Sequence, residues 1–207
     1  MARIITISRE FGSGGRELGK RLADELGFAY YDREIVTAIA EKTKTDEDLV
    51  EHTLETGPRT MVPLTFGHTF DYIPEFPSES KRILGDQYDV IMSMAEHGDA
   101  VFIGRHADVI LESYKPLKIF VYAELLAKIE RCRERAPEDE HLSDRELARK
   151  IRQVDKGRSA SHVTVSDLAW GDKVGYDLMV NTTEMDLKVL AKALAEYARH
   201  FFESQGQ

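Results

Sequence analysis

The stretch Ile4-Ile5-Thr6-Ile7-Ser8-Arg9-Glu10-Phe11-Gly12-Ser13-Gly14-Gly15-Arg16-Glu17-Leu18 decides how the rest of the chain is read. Ile4 to Ile7 is short, β-branched and mostly apolar, which predicts a buried strand. Three glycines within four residues then exceed what a strand-to-helix turn requires. From there Leu18, Leu22 and Leu26 recur every four residues, Ala23 widens the stripe, and Gly27 ends the helix as a C-terminal cap would. Phe28-Ala29-Tyr30-Tyr31 reads as a second strand. Strand, glycine loop, helix and strand make a βαβ unit, and that unit implies a parallel sheet.

A helix N-terminus preceded by glycines offers free backbone N–H groups and a positive dipole end to an anion. The segment Arg9 to Glu17 meets the phosphate-loop pattern G-x-x-x-x-G-K-[ST] only in part: Gly15 holds the second glycine, and Glu10 replaces the first. Arg16 stands where lysine is expected, and Glu17 replaces the magnesium-binding hydroxyl. Arginine still pairs with phosphate oxygens, although its fork is bulkier than an ammonium. A dinucleotide site is the rival, because Gly12-Ser13-Gly14 begins a G-x-G motif and Asp32 follows twenty residues later. Glu17 stands where that motif needs its third glycine, and four residues between strand and Gly12 suit a wrapped phosphate loop better than a tight turn.

Outward from this unit, a helix is expected from Glu34 to about Lys44, and Gly57 to Pro77 reads as loop because Pro58, Pro63, Pro74 and Pro77 punctuate it. Glu79 to Glu96 has helical spacing at Ile83, Gln87, Ile91, Met94 and Ala95. Strands are expected at Ala100–Ile103, Leu117–Tyr122 and Tyr176–Asn181. A helix begins near Leu125 and is followed by an acidic loop. Ser143-Asp144-Arg145-Glu146 has capping-box spacing ahead of Leu147, Ile151 and Val154. Thr183 to Asp186 caps a last helix with Leu187, Leu190, Ala191, Leu194, Tyr197 and Phe201 on its stripe. The pattern is a doubly wound α/β fold.

A chain of 207 residues accommodates one main domain with a small insert. Its net charge of −9 argues against nucleic acid as a partner. No run approaches the roughly 20 apolar residues of a membrane span, and Met1 to Ile5 leaves no room for a secretory leader. A single cysteine, Cys132, fits a reducing compartment, so a cytoplasmic location is expected. Seven histidines show no H-x-H or H-E-x-x-H spacing, so no protein-held metal is expected. Between Lys128 and Arg158 lie ten basic residues among eight acids, the composition of a solvated helix face. Phe66, Phe70, Tyr72 and Phe76 suit either a base-stacking pocket or the anchoring of a proline-rich loop. Trp170 reads as core or hinge packing. The oligomeric state is not legible.

The loop Ile7 to Gly19 resembles that of the divergent cytidylate kinase-like family. Tyr31-Asp32-Arg33-Glu34, Ile103-Gly104-Arg105 and Leu117-Lys118-Ile119-Phe120-Val121 are similar to the same family. The weakest part of the likeness runs from Lys44 to Pro77. The resemblance implies a single P-loop kinase domain over 1–207, with an acceptor-binding insert at 34–97 and a lid region at 128–172. It implies ATP and Mg2+ as cofactors, nucleotides as small-molecule partners, and transfer of a phosphoryl group to a nucleoside monophosphate, CMP or dCMP.

By the same resemblance, Gly12, Ser13, Gly14, Gly15, Arg16 and Glu17 surround the donor phosphates. Arg105 matches the arginine of a G-R-D motif that contacts the acceptor phosphate, with His106 in place of the aspartate. Asp32 matches an acid near the acceptor, although helix capping would also account for it, and Arg33 is a weaker acceptor candidate. Arg131 and Arg135 are expected to face the donor site across the lid, with Asp155 and Arg158 as that lid's D-x-x-R element. Arg16, Arg131, Arg135, Asp155 and Arg158 form the expected catalytic set. Two alternatives stay open: kinase action on a non-nucleotide small molecule, and a non-catalytic nucleotide sensor.

Overall fold

Parallel strands need crossover connections, and in this chain helices supply them. The computed structural model describes residues 2–56, 78–137 and 142–206. β1 (Ile4–Arg9), β2 (Ala29–Tyr31), β3 (Ala100–Ile103), β4 (Leu117–Tyr122) and β5 (Leu178–Asn181) form one sheet in the order β2-β3-β1-β4-β5. Every neighbouring pair is parallel, with Ile7 opposite Ile103 on one side of β1 and Arg9 opposite Val121 on the other. The helices among the described residues are α1 (Gly15–Leu26), α2 (Arg33–Thr43), α3 (Glu47–Thr56), α4 (Ser78–Glu96), α5 (Ala107–Ile110), α6 (Leu125–Glu134), α7 (Asp144–His162) and α8 (Leu187–Ser204).

The two-residue period of a strand sorts the core into two layers. Ile5, Ile7, Val101 and Ile103 face α1 and α8, where Leu18, Leu22, Ala191, Leu194 and Phe202 close the layer. Ile4, Ala100 and Phe102 face α2, α3 and α4, against Ile35, Ile39, Val50, Leu54, Ile83 and Ile91. Gly19 lets α1 lie directly on the sheet, since a Cβ there would stand 2.3 Å from Ile103 Cδ1. A smaller cluster of Ile129, Leu147, Ala148 and Ile151 joins α6 to α7. α1 ends as expected, with Gly27 left-handed at φ 70°. α7 begins at the expected capping box, where Ser143 accepts the Glu146 N–H and Glu146 reaches back to Ser143.

Four expectations shift. α3 lies inside the stretch where the reading placed no element, and Asp46 starts it by taking the Asp48 N–H on its carboxylate. The last strand begins two residues late, because the Asp177 backbone still bonds Lys118 O as an approach to the sheet edge. On α8 the stripe continues through Ala195, Ala198 and Phe202, while Tyr197 is exposed and stacks on Phe201. Thr183 to Asp186 reduces to Asp186 as the cap. The proline-rich segment 57–77 with Phe66, Phe70, Tyr72 and Phe76, and most of the acidic loop at 138–141, lie outside the described residues. Among those described, no helix is long and apolar enough to cross a membrane.

Candidate active site

In a doubly wound sheet the ligand crevice opens at the carboxyl ends of the strands, where the order reverses. Here that point lies above β1, between β3 and β4, and the glycine loop sits on it. Gly12 and Gly14 are left-handed at φ 77° and 81°. A Cβ would stand 3.0 Å from Cys132 Sγ at Gly12 and 2.9 Å from Leu187 Cδ1 at Gly14, and at Gly15 it would overlap Arg9 Cβ at 2.6 Å. Side chains are therefore excluded from the cradle on both steric and backbone grounds. Gly15 N–H donates to Ser13 Oγ at 3.4 Å and Leu18 N–H to Gly14 O, so the loop and the first turn of α1 form one unit whose positive dipole end favours an anion. Ser13 is buried: its hydroxyl donates to Glu10 O, and its carbonyl accepts from Thr182 Oγ1 at 2.6 Å.

A cleft of about 380 Å³ opens over this cradle, lined by Arg9, Arg16, Arg131, Arg135, Lys150 and Arg158 among others. Glu10, Glu51 and Glu55 are the carboxylates on its wall, so six cationic side chains face three anionic ones in a chain of net charge −9. Local sign, not net charge, sets the preference of a cleft for an anion. Arg16 pairs with Asp32 through Nε and Oδ2 at 2.5 Å. Glu17 is engaged by Arg21 at 2.9 Å and by Arg135. Arg131 donates to Ser13 O and to the Thr182 carbonyl, tying α6 to the loop.

A second part of the site, where the sequence reading expected the acceptor phosphate, is built at the end of β3. Gly104, Arg105 and His106 are successively left-handed, at φ 64°, 58° and 56°, a conformation that costs a non-glycine residue roughly 1–3 kcal/mol. Packing and hydrogen bonds hold it: the buried Gln87 amide donates to Arg105 O, and Ala107 N–H to Gly104 O. The turn buries the Arg105 side chain to 2% exposure with Glu51 3.2 Å away. Arg158 on α7 reaches Glu55 at 3.0 Å and Arg9 O at 3.1 Å. Burial, with Arg158 and Arg105 beside it, pulls Arg9 down to about 9, which leaves it cationic at neutral pH. Burial would raise Glu55, but Arg158 and Arg105 outweigh that and hold its carboxyl below the usual range.

A small chamber of about 40 Å³ adjoins these arginines, lined by Ser8, His106, Asp108, Ser161, His162 and Trp170 as well. Ser161 Oγ donates to Leu54 O and lies 3.1 Å from His106 Nε2, so that nitrogen carries the proton and donates to it. Burial and the neighbouring His162 and Arg105 push His106 down to about 4, so the ring is neutral. Trp170 packs edge-on against Phe120 at 5.1 Å.

Of the residues singled out from the sequence, Gly12, Gly14, Gly15, Arg16, Arg131, Arg135 and Arg158 line one cleft. Arg105 lies against it through Glu51 and Glu55, and Asp32 through Arg16. Asp32 stands at the N-cap position of α2 but its side chain makes no cap bond. Asp155 and the exposed Arg33 are not among the cleft-lining residues, and Asp155 instead accepts the Phe11 N–H at 2.7 Å. Sequence reasoning passed over Arg9, Glu51, Glu55 and Lys128. The signal for Arg9 was a charge at the last position of a buried strand; for the glutamates, it was their i,i+4 spacing.

Among the described residues no three His, Cys, Asp or Glu side chains converge to hold a metal. The glycine cradle and its arginines fit a polyphosphate. A magnesium ion would be left to phosphates and water, the coordination it commonly keeps.

The sheet order, the glycine cradle on the α1 N-terminus and the cationic cleft define a P-loop kinase fold. The cytidylate kinase-like family model matches residues 4–184, so the chain belongs to that family and is a phosphotransferase of kinase type. Among solved structures it is similar to an uncharacterized protein from Eubacterium ventriosum, with TM-score 0.69 and 22% identity over 95% of this chain and 98% of that one. Shikimate kinase from Bacteroides thetaiotaomicron shares the fold, with TM-score 0.56 and 15% identity over 98% and 99% of the two chains. A comparison with curated proteins found no match.

Proposed function

We propose that the chain transfers the γ-phosphoryl group of ATP to a nucleoside monophosphate, CMP or dCMP, with segment 34–97 contributing to the acceptor side and 128–172 acting as the lid. The observation that carries this reading is a glycine cradle flanked by arginines from three directions: Arg16 from α1, Arg131 from α6 with Arg135 at its C-cap, and Arg158 from α7. An acceptor phosphate oxygen is already a nucleophile, so no general base is needed. It forms a bond to the γ-phosphorus as the bond to the bridging oxygen breaks, and ADP leaves.

Arg16 and the α1 N–H groups hold the donor phosphates, while Arg131, Arg135 and Arg158 offset the charge spread over the equatorial oxygens. Arg105 and Arg9 receive the acceptor phosphate. Magnesium would be held through the donor phosphates seated in the Gly12 to Arg16 cradle and by water, and would supply positive charge there.

A second reading has its own support. Arg105 and Arg158 are already neutralised by Glu51 and Glu55, and a wall that carries carboxylates beside its arginines suits a hydroxyl acceptor as well as a phosphate. The test is a coupled ADP-release assay with magnesium-ATP against CMP, dCMP, UMP, AMP, GMP and shikimate, with Arg105→Ala as a probe of the acceptor side. Turnover selective for CMP or dCMP, with acceptor KM raised in Arg105→Ala, supports the first reading. Turnover only with the hydroxyl acceptor supports the second.

A further inference from the structure

The three residues that lead into the phosphate loop are each gripped by the α6–α7 pair. Arg158 donates to Arg9 O at 3.1 Å. Lys128 Nζ bonds Glu10 Oε2 at 3.0 Å and Asp155 Oδ2 at 3.2 Å. The other oxygen of Asp155 accepts the Phe11 N–H at 2.7 Å. Lys128 shapes the next residue as well, since its carbonyl and Cβ stand 3.0 and 3.1 Å from where a Cβ on Gly12 would lie.

Lys128 is buried, its side chain only 9% exposed, and a buried ammonium is tolerated only when paired and hydrogen-bonded. Both its partners serve the loop. Glu10 occupies the position where the usual pattern has a glycine, and its carboxylate also accepts the Ala123 N–H at 3.4 Å. That substitution therefore replaces backbone freedom with a side-chain tether. Neither Lys128 nor Asp155 lines the cleft.

We propose that Lys128 and Asp155 are positioning residues that fix the loop from Glu10 to Gly12, and through it the affinity of the cradle for nucleotide phosphates. α7 also holds α3, through Arg158 to Glu55 and Ser161 to Leu54 O. Docking of α7 thus sets the loop that holds the donor and the helix beside the acceptor together. This rests on the phosphate-loop reading of the site and not on the identity of the acceptor.

Amide hydrogen exchange on the wild-type chain reads the clamp directly: the Phe11 amide, at a loop position with no ladder partner, exchanges slowly. Fast exchange there overturns the inference. Calorimetric titration of magnesium-ATP into Lys128→Met and Asp155→Asn then shows a rise in Kd of about tenfold or more, as expected when charge-assisted bonds that order the loop are lost. Lys128→Arg, which keeps the charge, recovers a substantial part of that affinity, which a purely packing role for Lys128 would not produce.

Melting curves recorded alongside separate a loop effect from global unfolding. Acceptor KM is expected to change far less than ATP KM. Unchanged ATP affinity in both variants overturns the inference alone. A wild-type chain that binds no ATP overturns it together with the phosphate-loop reading, and one that binds ATP without transferring to any nucleoside monophosphate leaves it standing while the proposed acceptor falls.

Discussion

Arg16 Nε lies 2.5 Å from Asp32 Oδ2, which joins the first turn of α1 to the residue that precedes α2. Asp32 is 5% exposed at its side chain, whereas Arg16 is 54% exposed. The acid is thus a buried anchor and the arginine an exposed arm held at the cradle. A phosphate arriving at the α1 N-terminus competes with Asp32 for the same guanidinium.

Arg16→Ala removes that arm. Turnover is expected to fall by two or more orders of magnitude and ATP Kd to rise about tenfold, on the scale of one charge-assisted phosphate contact. Steady-state kinetics with titration calorimetry checks both. Arg16→Lys is expected to keep part of the binding, because a point charge still reaches phosphate but loses the fork that meets Asp32.

Glu55→Gln tests the acid that neutralises Arg158. Its carboxyl is held below the usual range, so the ionised form contributes stability that is present above the unfolded value near about 4.3 and is lost as pH falls through the lower folded value. The difference in melting temperature between wild type and Glu55→Gln is expected to be largest near neutrality and to shrink below about pH 4. With Arg158 released, affinity for inorganic phosphate is expected to rise.

His106 titrates in the opposite sense to a salt-bridged histidine. Its folded pKa of about 4 lies below the unfolded value near about 6.5, so between these the unfolded chain binds more protons. Stability is therefore expected to climb as pH rises through that window, by at most about 3 kcal/mol. Urea unfolding of His106→Gln against wild type at several pH values checks this, since the variant loses the histidine's share of the slope.

Gly104→Ala combines two costs. The position is left-handed at φ 64°, and the added Cβ would stand 1.8 Å from Arg9 Nη1. Destabilisation of about 1–3 kcal/mol is expected. Displacing Arg9 is also expected to raise acceptor KM more than ATP KM. Thermal melting and acceptor titrations measure the two effects separately.

The cradle and its helix were legible because their signals are local. Gly12, Gly14 and Gly15 stand out for conformational reasons that hold in any context, and Leu18, Leu22 and Leu26 declare a helix by spacing alone. The segment holding α3 was not legible, because Glu47 to Thr56 carries only Val50 and Leu54 as core residues and sits beside a proline-rich stretch. Asp155 shows the other limit. The family resemblance implied a residue of the lid, paired with Arg158, and only the approach of α7 to Phe11 makes it a ligand of the loop backbone.

Sequence alone determined the βαβ start, the strands with period-two or buried apolar runs, and the side-chain-free loop of Gly12 to Gly15 at the start of α1, since each follows from backbone sterics or from residues a few positions apart. Tertiary structure alone decided the strand order β2-β3-β1-β4-β5, the left-handed turn that buries Arg105, and the pairing of Arg16, Arg105, Arg158 and Lys128 with Asp32, Glu51, Glu55, Glu10 and Asp155. Those pairs join residues from 16 to 118 positions apart. Which charges meet at such separations depends on how helices pack on the sheet, and no local pattern records it.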